Sequence, residues 1–341
     1  MIHEFRQLIK EYQKAKKANL KCVLATVVAL DGSSYRKPGV RMLLIENDTM
    51  IGAVSGGCVE KDILRQAQSV FESSIPKMMT YDGRFRLGCE GVLYVLIEPF
   101  HPSDKCLLYF HNSLKNREAF YVHSYFNKSQ GPSEIIGSVI EFKTGSFKIS
   151  TFDPNNDHPL IFSQELPPPF KLMIFGAEHD AVELCKLASF NGWNVTIIAG
   201  PLEMKSIEHF PGATAFYTTY TNHLEIHPID EHTAVVIMSH NFSNDLKYLI
   251  ELKNSKPAYL GLLGPSSRRE KLLLQFIDFC PEVCPSFMEA LHAPVGLNIG
   301  AETPQEIAIS IAAEILSVTR NQQPILLKEK KTSIHAKNIL N

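Results

Sequence analysis

At 341 residues the chain is long enough for two domains, and 45% hydrophobic with 21% charged residues is ordinary for a water-exposed globular protein. The formal net charge of −2 excludes a global electrostatic attraction to nucleic acid or to an acidic membrane surface. Any charge-based recognition must therefore be local.

The first predicted element is a helix over residues 4–18 that turns Phe5, Leu8, Ile9 and Tyr12 inward. It has no apolar core of signal-peptide length, and no run in the chain approaches the ~20 apolar residues of a membrane helix. The seven cysteines (22, 58, 89, 106, 185, 280 and 284) are odd in number and lack a repeated spacing. Cys280-Pro-Glu-Val-Cys284 has no second pair to complete a zinc site. Reduced thiols and a cytoplasmic location are the expectation.

Two short apolar runs follow, Val23 to Leu30 and Met42 to Ile45, each expected to be a buried strand. Between them Gly32-Ser-Ser-Tyr-Arg36-Lys37-Pro-Gly39 and then Arg41 combine permissive backbone with positive charge, for which an anion is the natural guest. A further strand, Ile51–Val54, ends at Ser55-Gly56-Gly57, after which Val59, Ile63, Ala67 and Val70 fall at helical spacing. Cys58 is thus expected at a strand-to-helix turn, where free N–H groups and the helix dipole favour an anion and lower a thiol's pKa. A small buried residue filling a tight turn would have the same spacing. The loop Asp82–Gly91 repeats the theme with Arg84, Arg86 and Cys89, although a plain connecting loop would read the same way.

A strand at Val92–Glu98, a helix around Leu107–Lys115 and β-type runs at 120–125, 135–142 and 146–150 complete the first part. Pro154 to Phe170, with Pro167-Pro168-Pro169, is the best linker candidate. The expected division is an N-terminal domain 1–162, a proline-rich linker 163–170, a C-terminal domain 171–320 and a tail 321–341. The fold class expected is α/β, an N-terminal mixed α+β domain followed by a C-terminal Rossmann-like domain with a mainly parallel sheet.

The Rossmann-like half is expected from alternation. Strands at Leu172–Phe175, Asn194–Ile198, Thr214–Thr218, Ala234–Met238 and Ala258–Leu263 alternate with helical patterns at 181–190, 244–253 and 269–279. Thr303-Pro-Gln-Glu306 is a capping box opening a helix to about Thr319. The turn Gly176-Ala-Glu178-His-Asp180 occupies the place of a dinucleotide fingerprint, but a carboxylate stands where the second glycine should admit a pyrophosphate. The nearest anion site of this half is Gly264-Pro-Ser-Ser-Arg268-Arg269, a turn with two arginines at a helix start. His240, at the end of a parallel strand, would face the sheet's crevice with His179 and Asp180 nearby. A lone histidine of this kind is more often structural.

These blocks together resemble the XdhC/CoxI family of xanthine dehydrogenase accessory proteins. GSSYRKPGVRM and GAVSGGCVEKD look like its N-terminal signature; IFGAEHDAVEL, YLGLLGPSSRR and PVGLNIGAETPQEIAISIAAEI look like its C-terminal Rossmann-type domain. The resemblance implies a cofactor-binding chaperone more than a turnover enzyme. Such a protein would bind molybdenum cofactor (molybdopterin or its dinucleotide), support its sulfuration and deliver it to a xanthine dehydrogenase-type molybdoenzyme. It would act as a homodimer and with a cysteine desulfurase as a further partner, and without nucleic acid or membrane. Cofactor-binding residues carried over on the N-terminal side are Ser34, Arg36, Lys37, Arg41, Ser55, Gly56, Gly57, Cys58, Glu60 and Cys89. On the C-terminal side they are Gly176, Asp180, His240, Gly264, Arg268 and Arg269, and Cys58 is the residue placed to touch molybdenum. Departures at Glu178, Ala199, Glu90, Ser239 and Asn241 count against NAD(P) binding, so an NAD(P)-dependent oxidoreductase is the alternative reading.

Overall fold

A computed structural model describes residues 1–32, 37–55, 57–83, 91–152, 160–219 and 229–330, with Cys58 described in its backbone alone. The chain divides into two units, Met1–Pro168 and Pro169–Asn341.

The first unit runs α1 (Ile2–Lys17), β1 (Cys22–Asp31), β2 (Arg41–Ile45), β3 (Met50–Gly52), α2 (Cys58–Ser73), β4 (Lys77–Asp82) and β5 (Val92–Pro99). It continues with α3 (Asp104–Asn116), β6 (Phe120–Phe126), β7 (Gly131–Pro132), β8 (Gly137–Phe142), β9 (Gly145–Lys148) and β10 (Leu160–Leu166). One antiparallel sheet has the order β3-β2-β1-β5-β4-β7 and a second the order β10-β6-β8-β9. β1 lies inside the first sheet and is covered on both faces, which is why it reads as an unbroken apolar run. Val23, Ala25 and Val27 meet Val59, Ile63, Ala67 and Val70 of α2. Cys22 and Leu24 point the other way, into Phe5, Leu8, Ile9 and Tyr12 of α1. Each such fully buried aliphatic side chain is worth roughly 1.5–3 kcal/mol.

Two elements differ from expectation. The strand expected over 51–54 ends at Gly52, because the N–H groups of Val54 and Ser55 are taken by the Glu60 carboxylate instead of a ladder. Residues 160–166, inside the stretch expected to serve as linker, form β10, which pairs in register with all of β6 from Leu160↔Phe126 to Leu166↔Phe120.

The second unit runs β11 (Lys171–Phe175), α4 (His179–Phe190), β12 (Asn194–Ala199), β13 (Ala213–Thr218), β14 (Thr233–Ile237), α5 (Phe242–Leu252) and β15 (Tyr259–Leu262). It closes with α6 (Ser266–Phe279), α7 (Pro285–Glu289), β16 (Leu291–His292) and α8 (Pro304–Thr319). Its strand pairings are parallel throughout the described residues, and the order β13-β12-β11-β14-β15-β16 is the doubly wound Rossmann arrangement. Alternate residues of β11 serve opposite cores. Leu172 and Ile174 pack with α4 and α8, whereas Met173 and Phe175 pack with α5 and α6.

The helices start where their caps dictate. Asn241 accepts from the Asn244 N–H at 3.0 Å, so α5 begins two residues before the apolar periodicity does. Thr303 and Glu306 exchange the two bonds of the expected capping box, with Pro304 as the first helical residue. Among the described residues no helix is long and apolar enough to cross a membrane.

Candidate functional site

The N-terminal candidate is the turn between β3 and α2. Gly57 has φ +119°, a conformation that side-chain-bearing residues rarely adopt, and Cys58 follows it as the first residue of α2. Glu60 organises this turn. Its carboxylate accepts from Val54 N at 3.1 Å, Ser55 N at 2.6 Å and Gly57 N at 2.7 Å. Burial raises the Glu60 carboxyl, but the N–H groups of Ser55, Glu60 itself, Gly57 and Val54 together carry it below the ordinary carboxylate range. Glu60 thus engages the N–H groups of Val54, Ser55 and Gly57, just ahead of the helix start, with the protein's own carboxylate.

Arg41 is also placed differently from a surface cation. It is buried in β2, where Nη1 donates to Gly39 O at 3.0 Å and to Gln164 Oε1, and the guanidinium stands 5.6 Å from the Phe5 ring centre. Gly39 beside it takes φ +98°, which side-chain-bearing residues rarely adopt, and a Cβ there would also push against the Gln164 amide. Burial pulls Arg41 down to about 10, with Glu98 opposing, so it keeps its charge at neutral pH. Among the described residues its Nε and Nη2 have no hydrogen-bond partner. Glu98 is fully buried and raised by that burial, against hydrogen bonds from Ser138 and Ser150. Lys37 is exposed. Ser34, Arg36, Gly56 and Cys89 lie outside the described residues, as does the side chain of Cys58.

The C-terminal candidate is the crevice between the ends of β11 and β14, where the strand order reverses and doubly wound sheets bind ligands. Gly176 leaves β11 at φ +143°, and a Cβ there would come within 2.7 Å of the Met238 carbonyl carbon. Across the crevice His240 Nε2 stands 3.0 Å from Asp180 Oδ2, the proximity that the strand order implied. Two residues that sequence reasoning did not single out complete the surroundings. Lys205 reaches back from beyond β12 to donate to Ala177 O at 2.5 Å, with Nζ 3.8 Å from Glu178 Oε2. Asp245, fully buried in the first turn of α5, accepts from Ser239 N at 3.2 Å, from Ser239 Oγ, and from Arg268 Nη2. Asp245 reads in sequence as an ordinary dipole-complementing acid, and Lys205 as a loop lysine; neither carried a signal.

Arg268 therefore serves Asp245, and Gly264, at φ +142°, gives its stem room, since a Cβ there would lie 2.9 Å from Arg268 Cδ. Arg269 is half-buried, with its Nε unpartnered among the described residues. Among the described residues no group of three or more His, Cys, Asp or Glu side chains converges as metal ligands do.

Comparison with known proteins matches the model of the XdhC and CoxI family over residues 15–82 and that of the XdhC Rossmann domain over residues 172–315. The chain belongs to the XdhC and CoxI family. Its likeness to named family relatives spans both units. A probable xanthine dehydrogenase subunit of Bacillus subtilis (strain 168) is 29% identical, over 87% of this chain and 93% of its own length. The molybdenum cofactor insertion chaperone PaoD of Escherichia coli (strain K12) is 26% identical, over 94% of this chain and 90% of its own. A crystal structure of a xanthine dehydrogenase from Bacillus halodurans, 27% identical, superposes with a TM-score of 0.76, covering 93% of this chain and 96% of that one.

The thiols of this XdhC/CoxI member differ sharply in environment. Burial pushes Cys22 and Cys185 up to about 11 and Cys106 to about 12, whereas Cys284 is exposed and lowered by hydrogen bonds with Ser286. Iodoacetamide at neutral pH is expected to modify Cys284 in the native protein and to reach Cys22, Cys106 and Cys185 only after unfolding. Peptide mass spectrometry reads this directly; native labelling of Cys106 would contradict the packing described.

Proposed function

We propose that the protein binds molybdenum cofactor as cargo, supports the exchange of its terminal ligand for sulfur, and delivers it to a xanthine dehydrogenase-type molybdoenzyme. The observation that carries this reading is the likeness to the insertion chaperone PaoD, which extends over nearly the whole of both chains. The residue chemistry is compatible. The cargo is an anionic pterin phosphate with soft sulfur ligands, and Cys58, first in α2 behind Gly57, is a soft donor at a helix start. A cysteine desulfurase would supply the sulfur, and the working form would be a homodimer.

The test is to incubate the purified chain, anaerobically and under reduction, with cofactor released from a molybdoenzyme, then to gel-filter and assay molybdenum and pterin. Co-elution of both is expected; their loss from the protein fraction would sink the proposal. The sheet order also suits a dinucleotide. Retention of NAD(H) in place of pterin in the same experiment would favour the oxidoreductase reading, against which Glu178 stands. Cys58→Ser is expected to lower activation of the client apo-enzyme about tenfold, the equivalent of ~1.4 kcal/mol, with an unchanged melting temperature. Equal activation by mutant and wild type would reduce Cys58 to packing.

A further inference from the structure

The second sheet of the first unit buries one face and leaves the other open. Along β6, Phe120 and Val122 enter the core, as do Ile140 and Phe142 of β8 and Leu166 of β10. By the two-residue period of a strand, Tyr121, His123, Glu141, Ile161, Ser163 and Glu165 share the opposite face. Register sets Ser163 of β10 directly opposite His123 of β6. On the other side Glu141 of β8 pairs with Tyr121, which brings it diagonally beside the same histidine. Glu141 and Ser163 lie 18 and 40 residues from His123 in the chain, so no local spacing announces the group.

These three side chains form a continuous run of hydrogen bonds. His123 Nε2 bonds to Glu141 Oε2 at 2.8 Å, and His123 Nδ1 to Ser163 Oγ at 2.8 Å. A carboxylate only accepts, so the proton in the first bond belongs to the imidazole and sits on Nε2. Nδ1 of the neutral ring is then an acceptor, and the Ser163 hydroxyl donates to it. The Tyr121 ring lies parallel to the imidazole with centroids 5.8 Å apart, which holds the plane of the base. A nucleophile within hydrogen-bond reach of a base that a third group orients is the arrangement by which a serine is activated. Ser163 is exposed. Among the described residues β10 is the outer strand of its sheet, so alternate N–H groups along it point away from β6 and are donors open to a developing oxyanion.

We propose that Ser163 and His123 form a hydrolytic site for neutral carboxylic esters, with Glu141 as its positioning residue; the proposal does not rest on the cargo reading above. Ser163 Oγ bonds to the acyl carbon while its proton passes to His123 Nδ1. The bond from that carbon to the alcohol oxygen then breaks, and Nδ1 returns the proton to the leaving oxygen. Water repeats the two steps on the acyl-serine, which releases the acid and restores the hydroxyl. Glu141 touches no substrate and acts by keeping the imidazole proton on Nε2. Exposed Ile161 and Tyr121 on the same face suit an apolar acyl group, and the carboxylates of Glu141 and Glu165 disfavour an anionic one.

The experiment treats the full chain with an alkyl fluorophosphonate, from which an activated serine oxygen displaces fluoride, and locates the modified peptide by mass spectrometry. Hydrolysis of p-nitrophenyl butyrate gives the turnover rate in parallel. Wild type is expected to carry the label on Ser163, and Ser163→Ala to lose both label and turnover. His123→Gln is expected to lower both rates about a hundredfold, the usual size of a general-base contribution. In Glu141→Gln the carboxamide can donate as well as accept and so admits the other tautomer; kcat is expected to fall about tenfold with KM unchanged. The substituted side chains lie on the open face, so each variant is expected to melt as wild type does. Val139→Ala, opposite His123 in register, controls for loosening of the sheet and is expected to change neither rate. Absence of label on Ser163, or equal labelling in His123→Gln, overturns the site. Turnover that survives in Ser163→Ala overturns its assignment as the nucleophile, and an unchanged kcat in Glu141→Gln overturns the positioning role.

Discussion

Glu60→Ala is expected to lower the stability of the first unit by about 3 kcal/mol, because it strips a charged acceptor from the N–H groups of Val54, Ser55 and Gly57 at once. For a unit of this size that is roughly a 10 °C fall in melting temperature. Glu60→Gln keeps one carbonyl oxygen and should lose about half as much. The pH dependence has a definite sign. A carboxyl lowered on folding contributes stability that is complete above its unfolded value and fades as pH falls through the lower, folded one. Wild type should therefore lose stability more steeply than Glu60→Gln as pH drops below the ordinary glutamate range of about 4–5. Far-UV circular dichroism melts at a series of pH values measure both. Equal acid sensitivity of the two proteins would show that the carboxylate does not hold the turn.

Gly176→Ala is the second large effect. Two penalties coincide there, a backbone at φ +143° and a Cβ driven against the Met238 carbonyl. The obstruction is backbone at the end of a central strand, not a flexible side-chain tip that could swing aside. We expect a loss of about 4 kcal/mol, in the range reserved for overpacking with strain. Gly57→Ala is the natural contrast, because the space around that Cβ is open and φ +119° alone would count, at about 1–2 kcal/mol. The single tryptophan, Trp193, is buried in the core of the second unit, so its fluorescence in urea follows Gly176→Ala. A midpoint unchanged from wild type would mean that β11 and β14 can separate at their ends without cost.

What was legible in the sequence was local. The apolar run of β11 and the Thr303–Glu306 box declare themselves within a few residues, and the alternation of such runs was enough for a Rossmann-like order. β10 was not legible, because its pairing partner β6 lies some forty residues back and Pro167–Pro169 dominates its surroundings. The candidate sites show the same division. Spacing put Cys58 at a helix start and His240 opposite Asp180, since both follow from where elements begin and end. Spacing also offered Arg41 and Arg268 as ligand contacts, and the family resemblance offered Glu60. In the structure each is engaged by the protein itself, by Gln164, by the β3–α2 turn and by Asp245 respectively. Charge in a glycine-rich turn is visible in one dimension; whether a buried partner has already claimed it is decided by strands far away.

The Arg41–Gln164 bond spans 123 residues, and this bears on how the chain is made. β1 and β2 leave the ribosome long before β10, which both completes the second sheet and supplies the amide oxygen that accepts from Arg41. At about 5–20 residues per second, the nascent chain waits on the order of ten seconds with that guanidinium unsupported. Arg41 therefore gains its partner late, when the whole first unit has been synthesised. A chain truncated before Leu160 should emerge with this region unformed, while the second unit is built from strands and helices that mature in order.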